Sequence, residues 1–319
     1  MNIKISIVMS TYNEKKEELV KAINSILNQT FKDFEFIIVL DNPQNVEHTK
    51  IIEEYLRKDD RIIFLKNDKN IGLAASLNKG IELAKGKYIA RMDADDISMT
   101  DRLEKEYKYL EENPNIHIIS TNKIDINEND QIINIPSKLP TTDSKIKKIL
   151  KITSIITHSA AMFRKKEIEE IGKYRLFTAS QDYDLWLRAS YYKLNFAIID
   201  EQLLKYRIRQ NNISNTNPLK QYLLKEYIQK LYKQRVKNGI DEFSVENLQK
   251  YLEDNKAFDK KNIKKFKTGI EYIDKFKKYF KKKKIILACK YCIKSLCAHR
   301  KMKNVLYSYI VSYLLKVRG

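Results

Sequence analysis

The first part of the chain alternates between short apolar runs and longer amphipathic stretches. Residues 3–9 (IKISIVM) and 34–40 (FEFIIVL) are dense in Ile, Val and Phe and read as buried strands. Between them, residues 17–28 place Leu19, Ala22, Ile23, Ile26 and Leu27 at helical spacing. The alternation continues with a helix over 46–56, a strand over 62–65, a helix over 73–84 and a strand over 88–92. A further helix from about residue 100 must stop before Asn113, because the residue ahead of Pro114 is biased away from helical backbone. Repeated strand–helix units predict an α/β fold, with a mostly parallel sheet, right-handed crossovers and helices on both faces.

In such sheets ligands sit beyond the C-terminal ends of the strands. The segments in those places are residues 10–14 (STYNE), 41–45 (DNPQN), 67–72 (NDKNIG) and 93–96 (DADD). Four polar loops are therefore expected to converge on one edge. The last of them packs Asp93, Asp95 and Asp96 into four positions. Clustered carboxylates repel one another and are tolerated when solvated, when capping a helix, or when a divalent cation neutralises them. A solvated acidic turn is the plain reading, and Ser98 or Thr100 is an adequate cap for the next helix without help. An Asp-x-Asp at the end of a buried strand instead offers hard oxygen ligands on a rigid base, which suits Mg²⁺ or Mn²⁺ held jointly with phosphates.

Charge separates the two parts of the chain. Of a formal net charge of +20 over 319 residues, residues 1–210 contribute +2 (34 Lys and Arg against 32 Asp and Glu) and residues 211–319 contribute +18 (27 against 9). A basic block of this kind points either to a polyanionic contact or to a solvated helical surface. Nucleic acid accounts for the basic tail but not for the DADD loop, which without metal repels phosphates, so no nucleic-acid partner is expected. The cysteines, Cys289, Cys292 and Cys297, are odd in number and close together, which argues for reduced thiols rather than a disulfide framework. No signal peptide is expected from the first residues, and the uncharged run 304–315 is shorter than the ~20 residues a membrane span needs. The expected location is cytoplasmic.

Three segments carry a family resemblance: STYNE (10–14), NIGLAASLNKGIELAKGKYIARMDADD (70–96) and QDYDLWLR (181–188). They resemble the nucleotide-binding loop, the helix leading into the Asp-x-Asp, and the acceptor-side acidic motif of family 2 glycosyltransferases with the GT-A (Rossmann-like) fold. The resemblance covers about residues 3–210. It implies inverting transfer of a sugar from a nucleotide-diphosphate donor, a UDP-hexose or UDP-N-acetylhexosamine foremost, with Mn²⁺ or Mg²⁺. The implied acceptor is a saccharide or lipid-linked saccharide in surface-polysaccharide biosynthesis. The sequence departs from the family where no Pro precedes Tyr12, where Asp41 is followed by Asn-Pro, and where Gln181 replaces the commoner Glu.

On this resemblance Thr11, Tyr12, Asn13 and Glu14 form the nucleotide loop, with Tyr12 offering an aromatic face to the base and Thr11 and Glu14 bonding to base or ribose. Asp41 would accept from a uracil ring nitrogen, and Asp68 and Asn70 would finish the base pocket. Asp93 would reach ribose or metal-bound water, and Asp95 would ligate the metal. Without the resemblance these are a strand-to-helix turn, a turn Asp before Pro43 and a helix-entry turn. Asp182 matches the catalytic base, with Asp184 as competitor, on a helix from near Tyr183 anchored by Leu185 and Trp186. His158, in THSAAMFRK, would complete the metal or diphosphate site; its plain reading is a hydrogen-bonded histidine. Arg207 and Arg209 either meet phosphates or lie on the surface.

The chain divides on this reading into a catalytic domain, residues 1–215, and a basic helical extension, residues 216–319. Residues 219–236 carry a Leu/Tyr/Ile stripe with Gly239 as a stop, and residues 273–297 alternate apolar and lysine patches. Residues 305–317 place Leu306, Ile310, Tyr313, Leu314 and Val317 on one face. These helices suit an anionic membrane surface, docking the protein peripherally on the inner face of the cell membrane. The alternatives are packing on the catalytic domain or oligomerisation.

Overall fold

In a computed structural model, described over residues 3–209 and 217–317, the chain forms two compact units. The first comprises Met1–Leu150 and Ser154–Arg209, the second Lys151–Thr153 and Gln210–Gly319. The domain boundary expected between residues 215 and 216 lies outside the described residues.

The first unit begins β1 (Ile5–Thr11), α1 (Lys16–Leu27), β2 (Phe34–Leu40), α2 (Val46–Leu56), β3 (Ile62–Lys66), α3 (Leu73–Leu83), β4 (Tyr88–Asp93), which is the predicted order. β1 pairs with β2 and β4, and β2 with β3, all in parallel. β1, β2 and β4 are buried on both faces, as apolar runs of this kind require, whereas β3, at the sheet edge, buries only Ile62. α1 turns Leu19, Ala22, Ile23 and Ile26 into the core, as their spacing requires. α3 approaches β1 so closely that a Cβ at Gly80 would lie 2.5 Å from the Val8 Cγ1, so only glycine fits there.

Beyond β4 the sheet is mixed. A short β5 (Ile97–Ser98) precedes α4 (Arg102–Glu112), which carries the chain to β6 (Ile118–Ile126). Then come β7 (Ile132–Asn134), α5 (Asp143–Leu150), a 3₁₀ turn (His158–Ala160), β8 (Ala161–Arg164), α6 (Lys165–Glu170), α7 (Gln181–Tyr191) and β9 (Phe196–Arg207). β6 runs in the direction of β4 but leaves one strand position between them, which β8 fills antiparallel to both. β9 is parallel to β6, and β5 antiparallel to β9, giving the order β3-β2-β1-β4-β8-β6-β9-β5 with β7 on β6. Register shifts between β6 and β9 around Thr121–Lys123 bend the long β9. Its end returns to the acidic loop, where the Arg207 backbone N–H donates to Asp96 Oδ1 at 2.8 Å.

The second unit is helical: α8 (Pro218–Asn238), α9 (Val245–Asp254), α10 (Lys260–Lys281), α11 (Ile285–Ala298) and α12 (Met302–Val317). Asn217 caps α8 by accepting from the Lys220 N–H at 2.9 Å, and Gly239, with φ of 81°, ends it. Ser244 and Asp259 cap α9 and α10 in the same way. Leu219, Leu223, Leu224, Tyr227, Ile228 and Leu231 form the buried stripe of α8. The three cysteines lie on α11 as free thiols. Leu306 is 5% exposed, whereas Ile310 and Leu314, which the spacing places on the same face, are 46% and 42% exposed. Among the described residues no helix is long and apolar enough to cross a membrane.

Candidate active site

The ends of β1, β2 and β4 are adjacent by register: Thr11 lies beside Leu40, and Asp93 beside Ser10. In the loop after β1, Glu14 folds back, its Oε2 accepting from the Thr11 hydroxyl at 2.6 Å and the Tyr12 N–H at 2.9 Å. This turn leaves the Tyr12 ring 46% exposed and the Asn13 side chain exposed, while Thr11 is buried. His48 of α2, buried and absent from the sequence reading, braces the loop from behind. Its Nδ1 is 3.0 Å from Thr11 Oγ1 and its Nε2 2.9 Å from the Glu14 carbonyl oxygen.

Asp41 differs from the open base acceptor expected of it. It is buried, and its carboxylate accepts from Asn67 Nδ2 and from the Ile71 and Gly72 N–H groups, each at 2.9 Å. It therefore ties the end of β2 to the loop that opens α3, a loop that Gly72 completes at φ of 84°. Asp68 and Asn70 stand exposed on that loop, and Asn70 Oδ1 accepts from the Gly72 N–H at 3.0 Å.

Three arginines interleave with the acidic loop. Arg91, fully buried on β4, donates to Asp93 Oδ1 at 2.6 Å, to the Met92 carbonyl at 2.9 Å, to the Val8 carbonyl, and to His158 Nε2 at 3.1 Å. Arg209 reaches Asp95 Oδ2 at 3.0 Å and Glu18 Oε2 at 2.7 Å. Arg207 is buried, donating to the carbonyls of Asp95 at 2.8 Å and Asn127 at 2.9 Å and pairing with Asp130 at 2.6 Å. Asp96 is also structural: buried, it accepts from Ser159 Oγ at 2.5 Å as well as from the Arg207 N–H. Burial and then Asp93 push the Asp95 carboxyl up to about 7 against the pull of Arg209, with Glu14 and Glu18 adding.

His158, expected to complete the metal or diphosphate site, is held in this structure by Arg91 and Tyr174. Its Nε2 accepts from Arg91 and lies 2.8 Å from the Tyr174 hydroxyl, which places the ring proton on Nδ1. Burial, reinforced by the Arg91 guanidinium, holds the ring well below the ordinary imidazole range, and the same positive charge repels a cation. Replacing Arg91 by Met leaves the partly buried Asp93 and His158 without their shared donor. Chemical denaturation of that variant is expected to show a loss of about 3–5 kcal/mol, with Arg91→Lys recovering only part of it.

Asp182 and Asp184 both lie in the first turn of α7, which starts two residues earlier than expected, after Ser180 at φ of 61°. Asp184 is buried and held by Arg175 Nε and Arg188 Nε, each at 2.9 Å. Asp182 is half-buried and makes no ion pair among the described residues. Burial pushes its carboxyl up to about 6; Asp93 adds to the rise, and the Tyr183 N–H and Arg91 oppose it. Trp186 and Leu185, buried one turn on, fix the helix. Among the described residues no three carboxylate, imidazole or thiolate side chains form a closed metal cage. The donor set is carboxylate oxygen on an acidic loop, and Glu18 Oε1 is buried there without a hydrogen-bond partner. A hard divalent cation sharing its shell with phosphate oxygens fits those groups.

A mixed sheet of this order, with an acidic loop after its fourth strand and a carboxylate at the mouth of a later helix, defines the GT-A class of sugar transferases. Residues 6–172 match Glycosyl transferase family 2, and the chain belongs to that family and is a glycosyltransferase. It is 44% identical over 220 residues to an uncharacterized glycosyltransferase of Methanocaldococcus jannaschii, covering 68% of this chain and 76% of that one. It is 30% identical over 220 residues to the UDP-Gal:alpha-D-GlcNAc-diphosphoundecaprenol beta-1,3-galactosyltransferase of Escherichia coli, covering 68% and 78%. The structure of S. aureus TarS 1-349 in complex with UDP-GlcNAc superposes with a TM-score of 0.60 at 15% identity, covering 78% of this chain and 70% of that one. The chain spans 42% of the longer TarS chain, and the likeness bears on the fold.

Proposed function

We propose that the protein transfers a hexose or N-acetylhexosamine from a UDP-sugar to a saccharide or lipid-linked saccharide, with inversion, in surface-polysaccharide assembly. The observation that carries this reading is Asp182, a half-buried carboxyl left without an ion pair next to an acidic loop whose other carboxylates are engaged. Support for the donor and acceptor classes comes from the E. coli relative, whose name specifies UDP-Gal and a diphosphoundecaprenol-linked sugar.

In the proposed reaction the acceptor hydroxyl oxygen bonds to the anomeric carbon as the bond from that carbon to the diphosphate breaks. The hydroxyl proton passes to Asp182, and the bonding pair leaves with UDP. Tyr12 stacks on the base, Asn13, Asp68 and Asn70 line its edge, and Thr11, Glu14, Asp41 and His48 hold these loops in place. Asp95, with Asp93 beside it, would hold Mn²⁺ or Mg²⁺, which supplies neutralisation of the diphosphate charge. Arg91 fixes Asp93 by a charge-assisted bond and is a positioning residue. Nucleotide release by the purified protein from a panel of UDP-, GDP- and dTDP-sugars tests the assignment. Release from a UDP-sugar is expected, and release only from GDP- or dTDP-sugars contradicts it.

We also assign the second unit to docking on an anionic membrane face. Four consecutive lysines, Lys281 to Lys284, lead into α11, where Ile285, Ile286, Ile293 and Leu296 are 45–87% exposed, and Ile310 and Leu314 of α12 are also exposed. Each Lys or Arg near an acidic bilayer contributes roughly 1 kcal/mol before screening, and apolar insertion adds a part that salt does not remove. Sedimentation with anionic liposomes is expected to be strong at low salt and partly retained at high salt. The Ile286→Asp, Ile293→Asp double variant is expected to lose the salt-resistant part, and full retention of it would contradict the assignment.

A further inference from the structure

The second unit contains a cavity of about 630 Å³ lined by α8, α12 and residues 151–152. Five of its lining residues are lysines: Lys151, Lys225, Lys230, Lys233 and Lys237. Its one carboxylate, Glu226, is already taken by Lys301 and by the Tyr251 hydroxyl at 2.7 Å. Lys230 is paired with Glu242 at 2.6 Å. Among the described residues that leaves Lys151, Lys225, Lys233 and Lys237 with no carboxylate partner.

Lys225 is the unusual member. The other four lysines are solvent-exposed, whereas Lys225 is half-buried on α8 between Tyr222 and Gln229, which also line the cavity. Burial alone pulls its ammonium down to about 8. Desolvating a cation without a counter-charge is unfavourable, and the surrounding lysines raise the local positive potential further. A compact group with two negative charges answers several ammonium groups at once, as point-charge donors of this kind do for phosphate. A single carboxylate leaves most of the cations uncompensated.

We propose that this cavity is a phosphate site, which seats the phosphate or diphosphate group of a ligand against Lys225 with Lys233 at the rim. The group arrives either on a soluble phosphate ester or on a lipid headgroup, since both present the same anion. The site stands apart from the sugar-transfer reading: neither Asp182 nor the acidic loop enters it.

Competitive lysine acetylation of the full chain at pH 7.5 in EDTA, read peptide by peptide by mass spectrometry, tests the site. Two probes are used: pyrophosphate, and phosphatidylcholine vesicles with and without phosphatidic acid. An anion seated on Lys225 raises its pKa, and each unit of rise slows acetylation by about tenfold below that pKa. Slowing is expected at Lys225 but not, in the pyrophosphate arm, at the exposed Lys290. Slowing by pyrophosphate alone supports a soluble ester, and slowing only by phosphatidic acid that is greater at Lys225 than at the exposed Lys290 supports a headgroup. Unchanged labelling of Lys225 with both probes, or equal slowing at Lys290 with pyrophosphate, overturns the proposal. In the Lys225→Met, Lys233→Met double variant, affinity in EDTA for whichever probe slowed Lys225 is expected to fall about tenfold or more. Unchanged affinity of this variant for whichever probe slowed Lys225 also overturns it, while Mn²⁺-dependent UDP binding in the same samples reports separately on the transfer reading.

Discussion

Replacing Asp182 by Asn is expected to slow sugar transfer by about 10²–10⁴-fold at pH 7.5 while leaving donor affinity nearly unchanged, because the change removes a proton acceptor and little binding. The pH profile carries the sign. A base acts in its ionised form, so with a carboxyl at about 6 the wild-type rate should fall roughly tenfold per unit below that pH and level off above it. The Asn variant should lose that limb. Stability should move the other way. A carboxyl raised above its unfolded value contributes stability below about pH 4 that is lost as pH rises through about 6, so wild type at pH 7.5 carries an unfavourable buried charge. Removing that charge should raise stability by about 1–3 kcal/mol, read by denaturant titration. Loss of rate with loss of stability would mark Asp182 as structural. A larger rate loss in Asp184→Asn with the fold intact would move the role to Asp184.

The second large effect is expected at Asp95. Asp95→Ala removes the carboxylate assigned to the divalent cation, and turnover should drop by roughly 10³-fold or more, the rate equivalent of ~4 kcal/mol of charge stabilisation. The binding experiment isolates the cause. Calorimetry with UDP should show affinity that depends on Mn²⁺ in wild type and is nearly indifferent to Mn²⁺ in the variant. Far-ultraviolet circular dichroism should be unchanged, because the side chain is partly exposed and its ion partner Arg209 also holds Glu18. Unaltered Mn²⁺ dependence in Asp95→Ala would remove Asp95 from the metal site.

β1 and β2 were legible in sequence because each is an apolar run buried on both faces, β3 and β4 were legible from shorter apolar stretches, and the helices between them repeat at helical spacing. The direction of β8 was not, since four residues entered from a 3₁₀ turn carry no crossover helix to set their sense. The acidic loop was found by its own composition, but its counter-charges were not. Arg91 sits inside an apolar strand and reads as an interruption, and its partners Asp93 and His158 become visible only once β4 and the 3₁₀ turn are side by side. His158 likewise showed no sign in sequence of its contacts with Arg91 and Tyr174. Asp182 and Asp184 are two residues apart, so on a helix they point about 200° from each other. Their spacing alone says that one faces inward, and Arg175 and Arg188 decide which. In α12 the spacing puts Leu306 and Ile310 on one face, so they looked equivalent in sequence, yet only Leu306 is buried.

The central claim is a single displacement in which Asp182 deprotonates the acceptor on the face opposite the departing UDP. The measurement that meets it most directly is the anomeric configuration of the first-formed product, read by ¹³C-coupled NMR from an α-linked UDP-sugar labelled at its anomeric carbon. The donor is the one that releases UDP in the panel, and the acceptor is a saccharide that accelerates the release. A β-linked product is predicted, and an α-linked product would contradict the account, because attack from the face opposite the departing UDP inverts the anomeric centre.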